Sequence, residues 1–205
     1  MDYLERTISY LTKNVRGHDA KLFPKGPAFK SFPEPTLTVT SPDCGPSSSL
    51  LDIDHTQDGK DLIPSLTWSL PASIPAEKVK EYLILVEDAD GPLGFVVMHG
   101  GFYHIPPTKT SLGPDDLVKE RGEKGNVVKG GFKYAKNLRS SVYGGPRPLK
   151  GHGEHRYFYE VIALSETVGV EGKGFSNYAK KDELVKGVEG KVLGWGQWIG
   201  VAIRN

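Results

Sequence analysis

The chain has 205 residues, with 26 basic residues against 25 acidic ones and a net charge of +1. That length suits one domain burying about 70% of the surface its unfolded form would expose, and the near-neutral balance excludes the strong positive field of a nucleic-acid-binding protein. The single cysteine, Cys44, excludes an intramolecular disulfide, so a reducing compartment, the cytoplasm, is expected.

Acidic residues interrupt the first eleven positions, and no segment approaches ~18 consecutive apolar residues, which argues against a signal peptide or a membrane span. Tyr3, Leu4, Ile8, Tyr10, Leu11 and Val15 recur at helical spacing and Gly17 follows as a stop, which predicts an amphipathic helix over 2–16. Pro24, Pro27, Pro33 and Pro35 make 23–36 too proline-rich for regular structure, so residues 1–35 read as a helix and an arm ahead of a domain over 36–205. From Thr36 the signals are β. The segments 36–40, 65–69, 81–87, 95–105, 157–164 and 192–203 are rich in β-branched and aromatic residues, and turn clusters such as Pro42-Asp-Cys-Gly-Pro46 separate them. Six or more such strands predict a sandwich or barrel. Residues 172–177 read as loop and 180–188 as a short helix closed by Gly190.

The densest candidate for chemistry is Tyr143-Gly-Gly-Pro-Arg-Pro-Leu-Lys-Gly-His-Gly-Glu-His-Arg-Tyr157, a Gly/Pro loop running into a strand. Such a loop builds an anion pocket from backbone N–H groups, to which imidazole and phenol add donors. His155 and Tyr157, two apart, share one strand face while Arg156 takes the other. Asp88 ends an apolar strand before Ala89-Asp-Gly-Pro92, and reads either as a turn cap or as a ligand-facing carboxylate. His99, placed with Val97, Gly101 and Tyr103 by the two-residue period, is either a structural histidine or part of a site marked by the neighbouring glycines. Asp88, His99, His104, His152 and His155 offer metal donors, but their spacing matches no metal motif and none is assigned. The fingerprints of serine hydrolases, Rossmann enzymes and P-loop NTPases are absent from the sequence. Cys44 reads as incidental, and Trp195 and Trp198 as core rather than a base-stacking platform.

Together, Thr36-Leu-Thr-Val-Thr-Ser-Pro42, Asp58-Gly59, Pro64-Ser-Leu-Thr-Trp68, Glu87-Asp88 with Pro92, His99, Tyr143-Gly-Gly-Pro146 and Gly151-His-Gly-Glu-His-Arg-Tyr157 resemble the phosphatidylethanolamine-binding protein family over about residues 36–203. The helical N-terminus, Arg16-Gly-His-Asp-Ala-Lys-Leu22 and Gly194-Trp-Gly-Gln-Trp198 are similar to its filamentous-fungal branch. The resemblance implies a mainly β fold, a β-sandwich with a large central antiparallel sheet. It also implies a pocket for phosphate, phosphorylethanolamine or carboxylate walled by Asp88, Pro92, His99, Gly144, Gly145, Pro148, His155 and Tyr157, with no cofactor. Two departures stand out. The family's Asp-Pro-Asp-x-Pro turn is Asp88-Ala-Asp-Gly-Pro92 here, with Gly91–Pro92 a candidate cis bond, and Val97 and Met98 replace an aromatic ahead of His99, implying a wider or more apolar mouth.

Two functions follow as expectations. The first is a non-catalytic protein that binds a small phosphate- or carboxylate-bearing ligand, touches membranes at most peripherally, and inhibits a protease or kinase through its surface. The alternative, which also rests on resemblance, is a catalytic component of fungal maleidride biosynthesis that joins anhydride units. There Asp88, His99, His155 and Tyr157 would supply acid–base chemistry, and the glycine-loop amides with Tyr157 would stabilise an enolate.

Overall fold

A computed structural model describes residues 2–120, 125–169, 173 and 175–205; of the predicted loop at 172–177, Gly172 and Gly174 lie outside the described residues. In chain order the elements are α1 (Asp2–Thr12), β1 (Thr38–Thr40), β2 (Ser49–Leu50), β3 (Leu66–Ser69), β4 (Glu81–Asp88), β5 (Val97–Ile105), β6 (Ser111–Leu112), β7 (Lys133–Tyr134), β8 (His155–Leu164), α2 (Lys181–Gly187) and β9 (Val192–Ala202). Among the described residues two sheets form, a six-stranded one in the order β2-β9-β8-β4-β5-β7 and a three-stranded one in the order β1-β3-β6. All pairings are antiparallel except that of β2 with β9. The long predicted strands are therefore present, whereas the two-residue strands β2, β6 and β7 are too short to leave a periodic trace in sequence.

The main core lies between the sheets. Val39, Leu66, Trp68 and Leu112 of the small sheet meet Tyr82, Ile84, Phe102, Tyr159, Val161 and Trp198 of the large one, and Trp68 packs edge-on against Tyr82 at 5.4 Å. A second core covers the opposite face of the large sheet, where Leu83, Leu85, Ile162 and Trp195 receive Phe23 and Phe29 from the arm and Leu184 from α2. The proline-rich arm is thus ordered, as consecutive 3-10 turns from Asp19 to Phe29. Its Phe32 carbonyl accepts from Trp195 Nε1 at 2.8 Å. Trp195 and Trp198 are both buried, as expected for core.

Helix α1 stops short of the predicted residue 16, because the Thr12 carbonyl is diverted to a turn bond from the Val15 N–H (2.7 Å) and to His152. Of its described side chains only Ser9 is buried, while Tyr3, Leu4, Tyr10 and Leu11 are at least 65% exposed. Polar contacts hold it in place instead: Glu5 pairs with Arg204 and accepts the Lys150 N–H. No helix among the described residues is long and apolar enough to cross a membrane.

Candidate functional site

Strand β4 carries Asp88 to its end, and β8, paired with it residue for residue, sets Tyr157 opposite Asp88. Asp88 takes the turn-cap role and a bond to a histidine as well. Its Oδ1 caps the turn by accepting the Asp90 N–H at 2.7 Å, and its Oδ2 accepts Nδ1–H of His155 at 2.9 Å. Beyond it, His155 Nε2 lies 2.7 Å from His152 Nδ1, and His152 Nε2 lies 3.0 Å from the Thr12 carbonyl. Asp88, His155 and His152 therefore form one hydrogen-bonded line ending on the N-terminal segment.

The line fixes its own protonation. A carbonyl only accepts, so His152 Nε2 carries a proton and donates to Thr12. Burial and the neighbouring His155 hold the His152 pKa below its ordinary value, so His152 is neutral and its Nδ1 is a bare acceptor. The proton on the short N···N contact then belongs to His155, which donates from both nitrogens, to Asp88 and to His152. The three groups together hold one proton more than a carboxylate and two neutral imidazoles, for a net charge of zero. All three are buried, Asp88 at 5%, His152 at 3% and His155 at 1% exposed.

His99 is built differently. The β4–β5 register jumps from Val86↔Gly100 to Glu87↔Met98, leaving His99 as the extra residue of a bulge. A bulge puts two successive residues on one face. The His99 ring packs edge-on against Tyr157 at 5.1 Å, and a Cβ at Gly100 would meet Phe102 and Tyr143 on the same side. Gly101 and Tyr103 face the other core with Leu85 and Met98. This corrects the two-residue-period placement of His99 with Gly101 and Tyr103, since a local insertion breaks the period. Nδ1 of His99 donates to the Gly144 carbonyl at 2.6 Å, so Nε2 keeps its lone pair, and burial lowers the pKa. His99 is thus a neutral imidazole with a bare nitrogen, whereas Tyr157 is pushed well above the usual phenol range by burial and the Asp88 charge and stays protonated.

Two amides of the glycine loop already have partners within the protein. The Gly144 N–H donates to the His99 carbonyl at 3.1 Å, and the Gly145 N–H to Asp61 Oδ1 at 2.7 Å. Both donors are spent inside the protein, so in this arrangement neither is free for an anionic oxygen. Glycine at 145 is required for another reason: a Cβ there would collide with Asp61 Oδ1. Gly145 turns towards Asp61, Pro92 follows the Asp88 turn, and the Pro148 carbonyl faces Arg204 at 3.4 Å. All described peptide bonds are trans, Gly91–Pro92 included. Beside His99 is a cleft of about 20 Å3 lined by Val97, Met98, Asn137, Leu138, Arg139 and Gly144, room for about one water. Of the wider or more apolar mouth expected from Val97 and Met98, the apolar part is present, since both side chains border the cleft, but the mouth is narrow.

The N-terminal segment covers the Asp88 line. Arg16 donates to the Glu154 carbonyl, Gly17 N–H to Asp90 Oδ1 at 3.0 Å, and His18 N–H to the Ala89 carbonyl at 2.8 Å. Arg156, on the opposite strand face as predicted, clamps Asp90 and Asp19 at 2.7–2.9 Å. Burial alone would raise the Asp90 pKa, but the Arg156 bonds pull it down to about 2. Sequence reading treated His152 only as a metal donor and passed over Asp61 and Arg139, since nothing local links them to His99. His104 is remote, bonded to the Gly169 carbonyl at 3.1 Å. A different donor group, Asp43, Cys44 and His55, has ligand atoms within 4.8 Å of one another. There burial pushes the Cys44 thiol up to about 12, so it is protonated at neutral pH.

A large, mostly antiparallel sheet backed by a small one, with an Asp–His pair at the end of the central strands, defines a class of small β-sandwich folds. The chain belongs to the phosphatidylethanolamine-binding protein family, whose profile matches residues 40–203. It is 46% identical over 197 residues to phomoidride biosynthesis cluster protein B of Talaromyces stipitatus, covering 95% of this chain and 79% of that one. It is 44% identical to the protein of the same name from the fungal strain ATCC 74256, covering 95% and 91%. Among solved structures, the Escherichia coli protein YbcL superposes with a TM-score of 0.64 at 24% identity, over 83% of this chain and 99% of that one. A putative family homologue from Chlamydia trachomatis also gives 0.64, at 18% identity over 84% and 100%. These two structures support the fold alone.

Proposed function

We propose that this protein acts in the biosynthesis of a phomoidride-type fungal metabolite, where it holds a small carboxylate- or anhydride-bearing intermediate beside His99 and moves a proton. Of the two readings drawn from sequence, the cluster-encoded relatives support this one. The observation that carries it is the His99 ring, a neutral base with a bare Nε2, packed on Tyr157 above the Asp88–His155–His152 line.

Nε2 of His99 takes a proton from the alkyl carbon that is conjugated to an anhydride carbonyl through the ring double bond, giving an extended enolate and an imidazolium. The Arg139 guanidinium at the cleft supplies positive charge for the enolate oxygen. The carbanion adds to an electrophilic ring carbon of a second unit, one C–C bond forms, and the proton returns from His99 to the adduct. No electrons are gained or lost overall. Because the 20 Å3 cleft is too small for such a unit, binding requires the cover or the loop over 137–141 to move.

The test is turnover of an alkylmaleic anhydride followed by mass spectrometry. His99→Asn keeps the bond to Gly144 but removes the basic nitrogen, and the expected loss of coupled product is at least about 100-fold. Coupling at the wild-type rate in the folded variant sinks the proposal.

A further inference from the structure

The loop over 137–141 has two sides. One gives Asn137, Leu138 and Arg139 to the cleft beside His99. The other borders a cavity of about 330 Å3 lined by Lys119, Tyr134, Lys136, Ser140, Ser141 and Tyr178. That volume is at the low end of ordinary small-molecule sites. Asn137 pins the loop between them: its Nδ2 donates to the His99 carbonyl at 2.9 Å, and its Oδ1 accepts the Arg139 and Ser141 N–H groups at 3.1 and 3.2 Å.

The lining is one-sided in its chemistry. Two ammonium groups, hydroxyls and phenols face the space, and no carboxylate is among the described lining residues. Among the described residues, neither the Lys119 nor the Lys136 amine has a hydrogen-bond or ion-pair partner. Tyr134, buried and edge-on to Tyr178 at 5.6 Å, forms an aromatic floor. Burial pushes its pKa up to about 12, so it remains a donor. Ser140 sits at φ 55°, a conformation rare for serine and held here by the loop. Two cations sharing a cavity with two aromatic rings match two carboxylates on a short carbon skeleton, because each charge can find its own partner while the carbon frame packs on the rings.

We propose that this cavity is a second binding site, for a small dicarboxylate of the maleate type, held by Lys119 and Lys136 over Tyr134. Joining two units needs two places to hold them, and the pinned loop gives this site a direct connection to the His99 backbone. The choice of a dicarboxylate over other dianions rests on the function proposed above; the existence of the site does not.

The probe is maleate, titrated at constant ionic strength into 15N-labelled full-length protein, with amide shifts followed residue by residue. Saturable shifts are expected at Ala135, Ser140 and Ser141. Lys119→Ala/Lys136→Ala weakens that binding about 100-fold, tenfold for each lysine or ~1.4 kcal/mol apiece, and Lys119→Arg/Lys136→Arg restores most of it. The site is refuted if wild-type protein shows no saturable shift at these amides, or if the double alanine variant binds maleate unchanged. Tighter binding of inorganic phosphate than of maleate refutes the ligand assignment. These readouts need no turnover, so a fully active His99→Asn variant would overturn the proposed function while leaving this result standing.

Discussion

Replacing Asp88 in two ways tests the proton count of the buried line. Asp88→Ala removes the acceptor of two buried N–H groups, from Asp90 and from His155, and strips the counter-charge from a buried imidazolium. Breaking one partner of a buried pair costs about 3–5 kcal/mol, a large part of the ~5–15 kcal/mol that holds a domain folded. Asp88→Asn is nearly isosteric and leaves an escape. The Asn oxygen still accepts the Asp90 N–H, and its Nδ2 can donate to His155 Nδ1 if the ring sheds that proton. His155 then becomes a neutral Nε2–H tautomer that still donates to His152. Every bond of the line survives with net charge zero, so the expected cost is about 1 kcal/mol or less. Urea unfolding near neutral pH, followed by the fluorescence of the buried Trp68, Trp195 and Trp198, measures both. Side-chain 15N spectra should show both nitrogens of His155 protonated in the wild type and only Nε2 in Asp88→Asn. Equal destabilisation by the two substitutions, or a wild-type His152 without a proton on Nε2, would refute the reasoning.

Three further outcomes are expected. Deleting residues 1–16 removes the cover but little buried apolar surface, so the sheets should stay folded within about 1–3 kcal/mol while His152 becomes rapidly modified by diethylpyrocarbonate; unchanged protection would show that something else seals it. Glu160 is fully buried beside Glu87, which pairs with Lys181 at 2.5 Å. Burial and the Glu87 charge push the Glu160 pKa well above the carboxylate range, so stability falls as pH rises, and Glu160→Gln should raise the melting temperature more at pH 8.5 than at pH 5.5, with a uniform shift counting against it. Burial likewise raises Glu81 to about 7 from 4.5. The folded state thus favours its protonated form, an advantage present at low pH and lost as pH rises towards 7, by ~3 kcal/mol at most. Wild-type stability should decline over that window relative to Glu81→Gln, and parallel pH profiles would contradict the shift.

What the sequence determined by itself is local. Runs of β-branched and aromatic residues and the turn residues between them delimit β4, β8 and β9 to within a few residues, and the His155–Tyr157 spacing puts both on one face because a strand repeats every two residues. The Gly/Pro loop and the two histidines of 152–155 are visible as a concentration of unusual residues. Tertiary structure decided the rest. A single inserted residue at the β5 bulge turned His99 away from Gly101 and Tyr103, and no local signal marks a bulge beyond the glycines beside it. The amides of Gly144 and Gly145 look available in sequence, but the partners that occupy them, the His99 carbonyl and Asp61, come from 45 and 84 positions away. The cover over His152 comes from Thr12, 140 residues earlier in the chain. Hydrogen-bond donors and acceptors are properties of residues, but whether they are free is a property of the packed chain, because a buried polar group takes whichever partner folding brings to it.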